Sequence, residues 1–196
     1  MPRHRASWTT DAGILVALEP TEDEVAAVAP ILAAAYNDPH NAPLMGHTEP
    51  LDADDVIDHY ADLSDDGARP FLLFQGDELA GDADLRGLED GAAEFAIMVA
   101  ARASQGRGLG TRFAIMVHAF GFRVLALERI YVAIVPANVA SQRLFARLGY
   151  RADDSAAARA FADEDDDLTY SIDRASFEAA HAAALAEISI APCREA

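Results

Sequence analysis

Lysine is absent from this chain, and cysteine and tryptophan occur once each. All fifteen basic residues are arginines. Without lysine no Gly-Lys-Ser/Thr phosphate loop can be built, which removes one common nucleotide-binding class. Cys193, the fourth residue from the end, is the single cysteine, so an internal disulfide and a cysteine-based metal site are both excluded. No apolar run is long enough to cross a bilayer. Met1 to Gly13 is basic and polar with no apolar stretch behind it, unlike a secretory signal. The expected setting is cytoplasmic, with no membrane partner.

Positive charge is scarce overall. Thirty-three acidic residues against fifteen arginines leave a net charge of −18. A phosphate backbone needs a basic surface, so nucleic acid is not an expected partner. A negative field would instead concentrate a cationic substrate such as an amine. Hydrophobic residues make up 52% of the 196 positions, enough for one core and too many for wholesale disorder.

Residues 1–196 therefore read as a single domain, with 1–12 expected to be disordered and 174–196 to form a C-terminal helix and tail. Ile14–Leu18 reads as a strand. Thr21-Glu-Asp-Glu24 has the form of a capping box opening a helix to about Tyr36. Asn37–Pro50 is a loop, and Asp52–Leu63 has helical spacing. Phe71–Gln75 and Leu79–Leu88 flank the turn-forming Gly76-Asp77, and Glu89-Asp-Gly91 leads into a further strand at Ala93–Val99. Leu109–Leu125 is amphipathic and long. Arg129–Val135 is an unbroken apolar strand suited to burial on both faces. Asn138 caps a helix that Gly149 stops. Two strands and a last helix complete the order β-α-α-β-β-β-α-β-α-β-β-α. That alternation predicts an α/β (α+β) sheet with helices on both faces.

The chemistry is concentrated in Gln105-Gly-Arg-Gly-Leu-Gly110, between a strand and a helix. Glycines allow a tight turn and close ligand approach, and the helix start offers N–H groups and a positive dipole end. The combination suits a pyrophosphate, with Arg102 and Arg107 adding charge. A dinucleotide fingerprint beginning at Gly106 needs glycine at position 111, where Thr111 stands. Glu128 does lie about twenty residues beyond the loop, where a ribose-binding acid would be. The preceding antiparallel meander nevertheless disagrees with that fold.

The loop matches a Q/R-x-x-G-x-G/A pattern, and the match runs through Ala96–Thr111, His118–Phe120, Leu127–Val132 and Asn138–Tyr150. On these residues the chain resembles the GNAT (GCN5-related) N-acetyltransferase superfamily. Within it, the wording is most similar to the branch of ribosomal-protein N-terminal and spermidine acetyltransferases. The resemblance implies a mostly antiparallel mixed sheet flanked by helices, with acetyl-CoA as cosubstrate and no metal. It implies that Met98, Val99 and Ala100 hold the pantetheine arm where two strands splay. Gln105, Gly106, Arg107, Gly108, Leu109, Gly110 and Thr111 would cradle the pyrophosphate, and Asn138 and Ser141 would face the thioester.

The implied reaction is direct attack of a primary amine on the thioester in a ternary complex. Candidate acceptors are a protein N-terminus, a polyamine or a small amino metabolite. Glu94, opening the strand beside the cofactor, is the expected base, and the Val99 amide or a neighbour the expected oxyanion donor. The family's tyrosine seven residues after the asparagine is replaced by Phe145, which cannot donate a proton. Ser141, Tyr131, Tyr150 or water must then serve as acid, or the protein is a silent acyl-CoA-binding module. Tyr36 and Tyr60 fit either a helical core stripe or an acceptor pocket. His40, His47 and His59 match no metal-binding spacing, and Asp163–Asp167 reads as a solvated loop. A homodimer is left open.

Overall fold

The computed structural model describes residues 2–44, 49–100, 108–162 and 164–193. Gln105, Gly106 and Arg107 of the glycine loop, together with Arg102, His47 and Asp163, lie outside the described residues. The remainder folds around one mixed sheet whose strands, from one edge to the other, begin at Arg151, Leu168, Arg129, Ala92, Glu78, Arg69, Gly13, His4 and Ser189.

The chain begins with a hairpin, β1 (His4–Thr10) and β2 (Gly13–Leu18), paired from Arg5↔Leu18 to Thr10↔Gly13. The expected disorder of 1–12 is thereby corrected. Ala6 is buried and His4 nearly so, and Glu19 binds the His4 amide and ring at 2.6 and 3.2 Å. Arg69 joins the same carboxylate and lies over Phe120, 5.0 Å from its centroid. A polar strand is thus held by one buried ionic knot rather than by an apolar alternation.

Helix α1 (Glu22–Tyr36) starts at the anticipated capping box: Glu24 N–H donates to Thr21 Oγ1, and Thr21 N–H donates to Glu24. After a single 3-10 turn at Ala42–Leu44 comes α2 (Ala53–Asp65), opened by a second reciprocal box between Asp52 and Asp55. These two helices cover one sheet face. Val25, Leu32, Tyr36, Val56 and Tyr60 pack there on Leu72 and Met98.

Strands β3 (Arg69–Gln75), β4 (Glu78–Glu89) and β5 (Ala92–Val99) form an antiparallel meander. Helix α3 (Leu109–Arg123) crosses the opposite face, burying Phe113, Val117 and Phe120 against Phe71, Leu85 and Phe95. Strand β6 (Arg129–Ile134), α4 (Val139–Leu148), β7 (Arg151–Ala152), a short α5 (Ala156–Arg159) and β8 (Leu168–Asp173) follow. Helix α6 (Arg174–Glu187) does not run out into a tail: β9 (Ser189–Pro192) returns to pair with β1, as Ala6↔Ile190 and its neighbours show. Strands β1 and β9 extend the predicted element order at its two ends, and the short α5 adds a helical turn between β7 and β8, where only a polar connection is predicted.

Candidate active site

Every neighbouring pair in the sheet is antiparallel except β5 and β6. These two run parallel and stay together for only three rungs, Ala92↔Arg129, Ala93↔Ile130 and Glu94↔Tyr131. Beyond that point β5 continues to Val99 alongside β4, and β6 continues to Ile134 alongside β8. A wedge opens between them, with Glu94 at its apex. Crossing to a parallel neighbour takes a long connection, here α3, and both α3 and the following α4 contribute residues to the lining of the gap.

The wedge is a cleft lined by Ile97, Met98 and Val99 on one wall and Asn138, Ser141 and Leu144 on the other. Gly108, Gly110 and Thr111 close one end of it. Gly108 caps α3 at φ 82°, a left-handed conformation that side chains disfavour. A Cβ on Gly110 would stand 2.9 Å from Leu144 and 3.3 Å from Val99, so glycine is what lets the start of α3 wedge between β5 and α4. The first turn of this fifteen-residue helix lines the cleft, and its N–H groups lack intrahelical partners, a favourable place for an anion.

The β5 backbone contributes unequally. Ala100 N–H donates to Ala80 O at 2.8 Å, so Ala100 faces β4. Antiparallel alternation then turns the backbone groups of Met98 toward β4 as well, and those of Ile97 and Val99 toward the cleft. Gly81 explains the tight β4–β5 contact: its φ is +152°, and an added Cβ would meet the Met98 carbonyl oxygen at 2.0 Å. Of the three residues expected to hold a pantetheine arm, Val99 therefore has the appropriate direction, and Ile97 joins it.

Across the wedge, Asn138 Oδ1 accepts from Ser141 N–H at 3.0 Å while its Nδ2 donates to Leu44 O at 3.2 Å. One buried side chain thus caps α4 and ties the 3-10 turn over the cleft. His40 and Asn41 come to the cleft with that turn.

The proposed proton donors separate clearly. Phe145 is buried edge-on against Phe95 and Tyr150. Tyr150 is buried too, 2.6 Å from His118 Nε2, and burial raises its hydroxyl pKa well above the ordinary range. His118 Nδ1 lies 2.7 Å from the Ala114 carbonyl, so Nδ1 carries the proton and Nε2 accepts from Tyr150. Complete burial lowers the imidazole to a pKa of about 3, keeping it neutral. Tyr131 is stacked on Phe161, 5.3 Å between centroids. Ser141 is the member of that group that lines the cleft.

A second cavity lies on the other side of β5, under α1 and α2. Tyr36, Asp55, Val56, His59, Asp82, Asp84, Arg86, Ala96 and Met98 line it. The two cavities share Ile97 and Met98. Asp82 and Asp84 had not been singled out from the sequence. They alternate on β4, opposite Met98 and Ala96, so both point to the same face.

Tyr36 and Tyr60 hydroxyls donate to Asp82 Oδ2 at 2.7 and 3.1 Å; both tyrosines belong to the core, and Tyr36 also lines the cavity. Burial nevertheless pushes Asp82 up to about 6, against the lowering effect of those hydrogen bonds. Burial raises Asp84 to about 7, opposed by Arg86 and reinforced by Asp82 and Glu94. Glu94 is engaged differently, its Oε2 accepting from Arg86 Nε at 2.8 Å. Among the described residues no cluster of three or more metal-ligating side chains occurs, and no helix is long and apolar enough to cross a membrane.

Comparison with known proteins agrees with this architecture. The family model described as "Acetyltransferase (GNAT) domain" matches residues 15–151, and the chain belongs to that family. Among solved structures, Mycobacterium smegmatis RimJ in complex with CoA-disulfide is 19% identical, with a TM-score of 0.73 over 96% of this chain and 97% of that one. Aminoglycoside acetyltransferase AAC(6')-Ib in complex with coenzyme A is 19% identical, with a TM-score of 0.69 over 84% of this chain and 98% of that one. A T. thermophilus protein described as a "putative acetyltransferase" is 18% identical, with a TM-score of 0.68 over 88% of this chain and 92% of that one. No curated protein sequence matches.

Proposed function

We propose that this member of the GNAT family transfers the acetyl group of acetyl-CoA to a primary amine, directly and without metal. The observation that carries the proposal is the β5–β6 wedge, which opens at Glu94 and ends at the N-terminus of α3. An extended pantetheine arm can lie along Ile97 and Val99 as a strand would, filling the place where β6 departs. The pyrophosphate then meets the first turn of α3 at Gly108–Thr111, completed by Gln105, Gly106 and Arg107. That RimJ and AAC(6')-Ib were each solved with a coenzyme A group supports the cofactor.

The thioester end falls near Asn138 and Ser141, beside the apex. Attack needs a neutral amine and hence a proton acceptor. The carboxylates of β4 and β5 are the available acceptors, with Glu94 the one at the apex of the wedge. Ser141 is the hydroxyl placed to protonate the departing thiolate, a leaving group stable enough to depart without a strong acid. The acceptor enters from the α1–α2 side, where the acidic cavity meets the cleft at Ile97 and Met98. An AAC(6')-Ib structure with ribostamycin gives an amine-bearing precedent on this fold. The strongly acidic chain, placed in the cytoplasm, suits such a cation.

The direct test is thiol release from acetyl-CoA over a panel of amines: basic and acidic N-terminal peptides, spermidine, amino sugars and amino acids. Release with one class and mass-spectrometric detection of its N-acetyl product are expected. Calorimetric binding of acetyl-CoA with no transfer to any amine would instead establish the silent binding module that Phe145 suggests.

A further inference from the structure

The cavity beneath α1 and α2 contains a carboxylate that lacks what a buried carboxylate needs. Asp84 exposes only 9% of its surface, and its Oδ1 accepts no hydrogen bond among the described residues. Arg86 Nε is 3.7 Å from that oxygen, beyond hydrogen-bond range, and is bonded to Glu94 at 2.8 Å. Asp82, two residues away, shows how the fold treats a carboxylate it intends to keep satisfied: two tyrosine hydroxyls are brought to it. Orphaned buried acceptors are costly and uncommon, and one that lines a cavity is the natural place for a ligand's donor.

The missing partner must be a donor, and a cation best offsets a carboxylate in a dry setting. The walls around Asp84 include Leu51, Val56, Ala96 and Met98. They offer apolar contact to a methylene stem. A peptide α-amino group would instead bring an adjacent carbonyl against those walls. The same cavity touches the cofactor cleft at Ile97 and Met98, where a thioester would lie.

We propose that Asp84 receives the acceptor's primary ammonium, carried on a methylene stem, and takes its proton, with Glu94 serving to hold Arg86 rather than as the base. This rests on the acetyl-CoA reading above. One proton passes from R–NH3+ to the Asp84 carboxylate. The freed nitrogen lone pair forms the C–N bond at the thioester carbonyl, the C–S bond breaks, and its electron pair leaves with sulfur. The second nitrogen proton goes to the thiolate, and Asp84 later releases its proton to solvent. A carboxylate raised by burial to about 7 is well matched to receiving a proton near neutrality and giving it up again.

The test uses non-reactive cofactor analogues and the intact protein. S-(2-aminoethyl)- and S-(4-aminobutyl)-coenzyme A extend a primary ammonium beyond the sulfur; S-propyl- and S-pentyl-coenzyme A are neutral shape controls. Calorimetry at pH 8 should show at least one aminoalkyl compound binding about tenfold or more tightly than its control. Asp84→Asn should erase that preference while leaving the control's affinity unchanged, which also verifies the variant's fold. Glu94→Gln should keep the preference.

Equal binding of amine and control to the unmodified protein would overturn the proposal while leaving coenzyme A binding intact. Failure of all four compounds to bind would overturn the acetyl-CoA reading itself. Loss of the preference in Glu94→Gln but not Asp84→Asn would reassign the ammonium to Glu94. Independently of any variant, the preference should fall as pH drops through 7, where Asp84 takes up a proton. The groups facing it are Asp82 and Arg86 on β4, Glu94 on β5, Tyr36 on α1, and Asp55, His59 and Tyr60 on α2. A preference independent of pH down to about 4, the ordinary carboxylate range, would contradict Asp84 as the receiving group.

Discussion

The two cavities that meet at Ile97 and Met98 are built from different materials. The cofactor side is a backbone site: a wedge between two strands, a helix start, and glycines that permit close approach. The other side is a side-chain site, lined under two helices by Asp55, Asp82, Asp84, Tyr36, His59 and Arg86. A backbone site suits a ligand common to many enzymes, because any sequence with the right glycines and caps can form it. A side-chain site can be changed residue by residue, which is how one scaffold meets different amines. Met98 shows the hinge between them, its carbonyl lying against Gly81 on β4 and its side chain packing under α1 and α2.

The largest separation of the two halves should come from Gly108→Glu. A carboxylate at the start of α3 faces the bound phosphates, and like-charge juxtaposition of that kind costs several kcal/mol. Acetyl-CoA affinity should fall about a hundredfold or more by calorimetry, while the left-handed backbone at φ 82° removes only about 1–2 kcal/mol of stability. Retained affinity would remove the helix start from the binding site.

Gly81→Ala strikes the shared wall. Its Cβ cannot coexist with the Met98 carbonyl as placed, so β5 must shift, at a cost of about 1–3 kcal/mol in stability. Chemical denaturation would give the loss, and both acetyl-CoA affinity and turnover should decline together. A decline in only one would show that the two cavities are less connected than their common residues suggest.

Asp84→Asn isolates the side-chain half. The folded pKa of Asp84 is raised to about 7 from 3.8, so the native state holds the proton more tightly than the unfolded chain. The stability associated with that proton is complete below about pH 4 and is lost as pH rises through 7. Removing the charge should therefore stabilise the protein at pH 8 by about 1–3 kcal/mol, and by almost nothing at pH 4. Denaturant midpoints of the two proteins at both pH values check this, and destabilisation at pH 8 would show that Asp84 has a structural partner.

Asn138→Ala should have the smallest effect. Loss of the α4 cap costs about 1 kcal/mol, or a few degrees in Tm at this chain length. The tie to Leu44 is lost as well. Acetyl-CoA affinity should weaken modestly, and unchanged affinity would place the 3-10 turn outside the cofactor site.

The same contrast explains what could be read from the sequence. The Thr21–Glu24 box, the Asn138 cap, the Gly149 stop and the Gly108–Gly110 start all leave local marks, and each appeared where expected. The wedge itself followed from the family resemblance, since nothing local says where two strands part. Asp82 and Asp84 were visible only as an acid-small-acid alternation inside a strand. Knowing that both face a cavity takes the register of β4 against Met98 and Ala96 and the reach of two tyrosines from distant helices. Glu94 was noticed as opening the strand expected beside the cofactor, but its bond to Arg86 is a cross-strand fact. Strands β1 and β9 were missed because their main apolar contributors are only Ala6, Trp8 and Ile190, and because β1 is fixed by pairing with β2 and β9 and by its His4 contacts to Glu19. Long-range pairing of the two chain ends has no local signature at all.

The central claim is that acetyl-CoA and an amine occupy adjoining cavities at once and react directly. Initial rates of thiol release, measured while both acetyl-CoA and the best amine of the panel are varied, test it most directly. The account predicts intersecting double-reciprocal lines and no release when the amine is left out. Parallel lines with amine-independent release of one equivalent of thiol would mean that an acetylated enzyme forms first, and would contradict it.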